Sequence, residues 1–544
     1  MLHLGASENP AGLESAPDDI HHLLLSQLAD TSPSAIFNLA QSSKTLRAAA
    51  LPIVYRKLIL NHGPKKSNTR QAYTALVEKF RTDNDCEIAK HVRSITVKSE
   101  IPPEDLMLIL NKISEHGNLL TLNWKTAAHM SRGNYDKLHS TWPKLEISVT
   151  VVDRQNVKSI AHRQMDMRLL SSPLLTRLTY VVYNQGYQAS LPSRSEWPKL
   201  TRALVAGGNV RVLRIQSQSD GEDYFGVKIV QDSEPEKLAR LDLVPAIRLP
   251  QLEELSINSQ RYYGASTYLW DTEHCLLLRD AMDWSRLRKL DFGADNPDVF
   301  FTTFTSRLPS LKSLRFEVNN WFLEPAVRFI ESIDALESIH IDEVQKNIQP
   351  LWPAIMQHKA SLKKLIFGPT LGHYYSTQHV DLGRLEEIVT SIPGLEHLGW
   401  DMPCEENIDP KHITLVSNLN LQKLDIFFRL PDAASDFSDM LVLAGIDGAA
   451  PPSLDKERSK KVAMDIFESV SKDHKSPLEW LTLHISRIGY HDRAEPYLVQ
   501  AKLQLRKRRD VSMDMVGEQR YETRGAIEWR GLISLEEELS LEEP

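Results

Sequence analysis

Along the second half of the chain the apolar residues fall into one repeated frame, L-x-x-L-x-apolar. It reads LEELSI at Leu252, LRKLDF at Leu287, LKSLRF at Leu311, LESIHI at Leu336, LKKLIF at Leu362, LEHLGW at Leu395, LQKLDI at Leu421 and LEWLTL at Leu478. The first leucines are 35, 24, 25, 26, 33 and 26 residues apart, with a last gap of 57. Within each frame the apolar positions alternate, which predicts a short strand. In LKSLRF, Leu314 and Phe316 turn to one face while Ser313 and Arg315 turn to the other. Helical spacing follows: Glu324–Asp334 carries Val327, Ile330 and Ile333 on one face, and Arg384–Ile392 behaves alike. A strand and a helix cannot bury their apolar faces alone, but stacked units bury a continuous core. Looser frames stand upstream at Val92 (VRSITVKS), Leu175 (LTRLTYVV) and Val210 (VRVLRIQS). Successive strands of an α/β enzyme would look similar locally, and eight copies of one frame favour the repeat array.

The fold class predicted is therefore α/β, with one strand and one helix per repeat. The spacing resembles that of leucine-rich repeats, although the turn position that usually holds Asn or Cys is filled as expected only by Asn319. The other frames place Gln260, Asp295, Val344, Thr370, Pro403, Arg429 and Ser486 there, so the array resembles a degenerate, irregular solenoid.

Ser15–Leu60 follows a different pattern. Ile20, Leu23, Leu24 and Leu28 form a single helical stripe after Pro17, Asp18 and Asp19, whose acids suit the positive end of a helix. Thr31 or Ser32 with Pro33 marks a second start, carrying Ile36, Phe37, Leu39 and Ala40. Ser42 or Ser43 caps a third helix carrying Leu46. Three short helices bury too little area to stand comfortably alone, so such a module leans on a partner or a neighbouring domain.

This stretch resembles an F-box: Pro17 matches the Pro of its opening motif, Asp19 the acid, Ile20 the first aliphatic position, Leu24 and Leu25 the next pair and Leu28 the closing Leu. IFNLAQSSKTLRAAALPIVYRKLIL is similar to the second half of fungal members, where a first strand follows. Ala16 and His21 depart from the motif, and ADTSPSA is a short insertion between the halves. The resemblance implies a substrate-recognition subunit of a Skp–cullin–F-box ubiquitin ligase. Pro17, Asp19, Ile20, Leu24, Leu25, Leu28, Leu39 and Leu46 would meet the Skp adaptor, a cullin would complete the scaffold, and the repeats would hold a protein substrate. Such a receptor contributes proximity rather than chemistry. The alternatives are an F-box/leucine-rich scaffold outside ubiquitin ligases and an α/β enzyme of unrecognised type.

Composition narrows the classes. A net charge of -8 over 544 residues speaks against a dedicated nucleic-acid binder. Three scattered cysteines, Cys86, Cys275 and Cys404, exclude a disulfide scaffold and a cysteine zinc site. The first residues show no secretory signal, no N-x-[ST] sequon occurs, and no apolar run is long enough for a bilayer, so a cytoplasmic or nuclear location is expected. Phosphate-loop, dinucleotide, nucleophile-elbow and zinc-protease motifs are absent, so neither an enzyme nor a cofactor is expected. In Glu273–Cys275 a His precedes a Cys, but neighbours on a helix point about 100° apart and do not make a nucleophile–base pair. DGEDYFG at Asp220–Gly226 lacks calcium-loop spacing and reads as an exposed loop.

The expected domains are a helical module at 15–60, a joint at 61–87, a repeat array at 88–490 with an excursion at 431–461, and a C-terminal segment at 491–544. In that segment LRKRRD at Leu505–Asp510 reads as a basic helix face or an import patch, and Ser534–Pro544 as an acidic tail. Substrate contacts are expected on the polar positions of the strand-lined concave surface, with Arg315, His340 and Trp480 as anchors.

Overall fold

The computed structural model describes residues 18–31, 33–64, 67–83, 86–116, 119–154, 159–184, 195–219, 239–259, 268–293, 297–318, 323–344, 349–368, 381–403, 410–429, 456–470, 478–490, 496–507 and 521–522. Strands and helices alternate, and each strand pairs with its neighbours in chain order, so the class is α/β. Two compact units divide the chain: Met1–Val182 with Glu196–Gln216 and Ile247–Gln251, and Tyr183–Ser195 with Ser217–Ala246 and Leu252–Pro544.

The first unit opens on three helices, α1 (Asp18–Thr31), α2 (Pro33–Ser42) and α3 (Lys44–Val54). Ser43 caps α3, its hydroxyl accepting from the Leu46 N–H at 3.1 Å. Leu25, Ile36 and Ala50 are the buried centre of this trio, with Leu28, Leu39, Ala40, Ala49, Ile53 and Val54 packed around them. Strands β1 (Lys57–Leu60), β2 (Ser94–Val97), β3 (Thr121–Trp124), β4 (Glu146–Val151), β5 (Leu175–Asn184) and β6 (Val212–Ser219) follow, and β1 to β5 pair in parallel. Parallel pairing requires a crossover between strands, and here helices fill it.

One of those crossovers corrects the expected joint at 61–87. It holds α4 (Asn68–Thr82), capped by the Ser67 hydroxyl and burying Tyr73, Val77 and Phe80. These three share one helical face, while the polar NHGPKKSNTR ahead of them masked the periodicity. Arg154 is also buried here, ion-paired with Glu196, donating to the Val181 carbonyl at 2.9 Å and lying 4.8 Å from the Tyr180 ring centre.

The second unit carries the eight frames. Each becomes a strand: β7 (Glu254–Ser259), β8 (Lys289–Asp291), β9 (Ser313–Val318), β10 (Ser338–Val344), β11 (Lys364–Gly368), β12 (His397–Pro403), β13 (Lys423–Arg429) and β14 (Trp480–Tyr490). The parallel register aligns Leu255, Leu290, Leu314, Ile339, Leu365, Leu398, Leu424 and Leu481 in one buried row. Burying each such side chain is worth about 1.5–3 kcal/mol. The polar second position of each frame continues the ladder: Arg288 N–H donates to Glu253, Lys312 to Arg288, Glu337 to Lys312, Lys363 to Glu337, and so on to Glu479 on Gln422. Aromatic residues fill the layer behind β8 and β9, with Phe300 stacked on Phe304 at 3.9 Å and Phe292, Phe301, Phe316 and Phe329 around them.

After β14 the direction reverses. β15 (Pro496–Lys507) and β16 (Tyr521–Glu522) are antiparallel, so Leu505–Lys507 lies at the end of a strand rather than on a basic helix. The run YLVQAKLQLRK alternates with period two, which explains the correction. In the long last gap the helix Lys456–Val470 buries Ala463, Ile466, Phe467 and Val470. The rest of the excursion, Asn319, DGEDYFG, Arg508–Asp510 and Ser534–Pro544 lie outside the described residues.

Candidate partner-binding surfaces

The alternation that buries the leucine row puts its neighbours on the opposite face of the second unit's sheet. One outward row runs Lys289, Ser313, Ser338, Lys364, His397, Lys423, Trp480; the next runs Asp291, Arg315, His340, Ile366, Gly399, Asp425, Thr482. Two of the anchors expected from sequence, Arg315 and His340, therefore sit side by side on β9 and β10. Trp480 is half-buried on β14, in register with Lys423.

Two carboxylates organise this face. Asp342 accepts from Arg315 Nε at 2.7 Å and lies 3.0 Å from His340 Nε2. Burial alone would raise its pKa, but His340 and Arg315 hold it below the usual carboxylate range. Asp425 lies 2.6 Å from His397 Nε2 and 3.6 Å from His484 Nε2. Burial again works toward a higher pKa, and the two imidazoles reverse it, so Asp425 stays ionised deep into acid. Phe427 stacks on the His484 ring at 4.5 Å, which holds that imidazole flat. Lys289 pairs with Glu254 at 2.8 Å. Burial pushes Lys364 below the usual ammonium value, with Lys289, Arg315 and Lys423 repelling its charge and Asp425 attracting it.

Two glycines make this crowding possible. A Cβ on Gly368 would stand 3.2 Å from Asp342 Oδ1, and one on Gly399 would stand 3.0 Å from Ile366 Cγ2. Glycine inside a strand costs stability, and here it admits neighbouring side chains.

The first unit offers a different surface. On α1, Ile20, Leu23 and Leu24 are 41%, 65% and 50% exposed, while His21 and Leu25 on the opposite side are buried. The expected adaptor contacts thus divide. Asp19, Ile20 and Leu24 face out, Leu25 and Leu46 face in, and Leu28 and Leu39 pack against the trio's core. Pro17 lies outside the described residues. Leu23, read only as part of the stripe, is the most exposed of the three apolar residues.

Elsewhere two reactive neighbouring pairs are drawn wholly or partly into the interior. His274 meets the Tyr268 hydroxyl at 2.7 Å, and burial lowers its pKa to about 3. Its neighbour Cys275 is buried, which pushes the thiol up to about 12, far from a reactive thiolate. Ser172 and His139 are 3.0 Å apart, but the serine is fully buried and its oxygen also accepts from Leu174 N–H. Among the described residues no group of three or more His, Cys, Asp or Glu is placed to hold a metal ion, and no helix is long and apolar enough to cross a membrane. Compared with protein-family profiles and with curated proteins, the chain matches none.

Proposed function

We propose that the chain is a substrate receptor of the Skp–cullin–F-box type, with an N-terminal F-box followed by an irregular leucine-rich array. The observation that carries this reading is the apolar face of α1. A helix whose other side already packs on α2 and α3 leaves Ile20, Leu23 and Leu24 to solvent, and adjacent exposed aliphatics of this size mark a protein contact. The second unit's outward face, with alternating charge and half-buried Arg315, His340 and Trp480, suits a protein substrate better than a small molecule.

The test is affinity purification of the tagged chain carrying Leu23→Asp and Leu24→Asp, which places charge in the proposed apolar contact and spares the helical core. Skp adaptor and cullin should co-purify with the native chain and disappear from the variant, with thermal unfolding unchanged. Retention of both by the variant would sink the reading. Adaptor without cullin, from the native chain, would place it in a scaffold outside ubiquitin ligases. On the other unit, Ala at Arg315, His340 and Trp480 should weaken substrate capture about tenfold or more while adaptor binding stays constant, as loss of an anchor costs about 1–2 kcal/mol.

A further inference from the structure

The outward face of the first unit's sheet carries a basic rim, in a chain whose net charge is -8. Lys57, Ser94, Thr121 and Glu146 stand in one row of that face, and Thr96, Asn123, Ser148 and Arg177 in the next. A third row begins one residue past the ends of β2 and β3. There the Lys98 N–H donates to the Leu60 carbonyl at 2.8 Å and the Lys125 N–H to the Val97 carbonyl at 2.7 Å. The ladder therefore continues, and its register sets Lys125 between Lys98 and Thr150. Lys57, Lys98, Lys125 and Arg177 are all exposed. The acid in these rows, Glu146, is already paired with Arg211 at 3.4 Å. Glu100, beyond β2, lies 3.9 Å from His162 Nδ1.

Lys98 and Lys125 are the informative pair. Neighbouring strands run about 4.8 Å apart, so two ammonium groups rooted opposite each other repel, and like charges at such positions destabilise a sheet. Beside them lies a floor of short neutral side chains. Thr121 donates to the Ser94 hydroxyl at 2.7 Å, and Asn123 reaches Thr96 at 3.4 Å. Bonded to one another, these side chains stay low while the longer cations stand around them. We propose that this face docks an acidic peptide segment of a partner protein, one carboxylate seated between Lys98 and Lys125 and further acids reaching Lys57 and Arg177. A carboxylate between the two lysines turns their repulsion into a pair of charge-assisted hydrogen bonds. The peptide's backbone meets hydroxyls and an amide, which both donate and accept. Single-stranded nucleic acid suits the face less well, because the floor is built of Ser, Thr and Asn rather than the aromatic rings on which bases stack. The docking face belongs to the first unit alone and is independent of the adaptor and substrate surfaces proposed above.

Fluorescence anisotropy of labelled octaglutamate against the full-length chain tests the docking. Lys98→Glu and Lys125→Glu each turn the like-charged pair into an opposite-charged one, so both variants should unfold at the native temperature or above it. Each should weaken octaglutamate binding at least tenfold at low salt. Lys98→Ser with Lys125→Ser, which removes the repulsion without adding a charge, should lose binding to the same extent. Lys199→Glu, an equal change of net charge on the exposed side of the helix Trp197–Gly207, should bind within twofold of the native chain. Absence of binding to the native chain would overturn the proposal. So would an equal loss in Lys199→Glu, or native affinity in the Lys98 and Lys125 variants. Displacement of the peptide by an oligouridylate of equal charge at a lower concentration than unlabelled octaglutamate needs would also overturn it, assigning the face to nucleic acid.

Discussion

The two units build the same backbone and finish it in different alphabets. In the first, the outward positions of β2, β3 and β4 are Ser94, Thr96, Thr121, Asn123, Ser148 and Thr150, short and uncharged, with a single charge at Glu146, which pairs with Arg211 at 3.4 Å. They satisfy one another: Thr121 donates to the Ser94 hydroxyl at 2.7 Å, and Asn123 reaches Ser94 and Thr96 at 3.4 Å. In the second, the equivalent positions carry lysine, arginine, histidine and aspartate, linked across strands through Asp342 and Asp425. A parallel ladder with a buried aliphatic row is indifferent to what stands on its other face. On that face the first unit carries mostly neutral hydrogen-bonding side chains and the second carries ionisable groups.

If the frame is shared, the largest effects should not tell the units apart. Leu122 and Leu398 are both fully buried on their strands, and Leu122→Ala and Leu398→Ala should each cost about 2–5 kcal/mol in urea unfolding. A loss confined to one unit would mean that the two ladders are not built alike.

The next effect separates them by pH. Asp425 has its folded pKa depressed, so its contribution is present above its unfolded value of about 4 and is lost as pH falls through the lower folded value. Asp425→Asn should cost about 1.5–3 kcal/mol at pH 7, and the gap to the native chain should shrink on acidification below about pH 4. Thr121→Val in the first unit should cost about 0.5–1.5 kcal/mol at every pH, because no charge is involved. Equal pH dependence in the two variants would remove the contrast.

The smallest effect probes the glycines. In Gly399→Ala the new methyl meets Ile366 Cγ2 at 3.0 Å and Cγ1 at 3.1 Å, which should cost about 1 kcal/mol net. That cost should vanish in an Ile366→Ala background, as a double-mutant cycle would read.

How far the sequence discloses all this differs from element to element. The eight strands of the second unit follow from L-x-x-L-x-apolar because the buried row requires apolar residues at that spacing. In the first unit β3 repeats the frame as LLTLNW, 27 residues after Val92 and 26 before Leu145, whereas β4, in LEISVTV, keeps the alternation but puts Ser148 where the frame has its second Leu. At the candidate site, Arg315, His340 and Asp425 are visible as outward positions. Their arrangement is not, because Asp342, Phe427 and His484 lie beyond the frame's end, where the strands continue, and the pairings cross between strands. On α1 the stripe is legible, but periodicity alone cannot divide Leu24 from Leu25. Contact with Ile36 and Ala50 decides which of them is inside.

Because each parallel pair in the second unit joins strands that follow one another in the chain, order can spread from any adjacent pair and every closure is local. The longest step, 57 residues between Leu421 and Leu478, compares with 24 between Leu287 and Leu311. Chain entropy grows only with the logarithm of loop length, so the longer step costs about 0.8 kcal/mol more, or about a fourfold slower closure. An insertion of that size slows assembly at a single joint and leaves the speed of every other joint untouched.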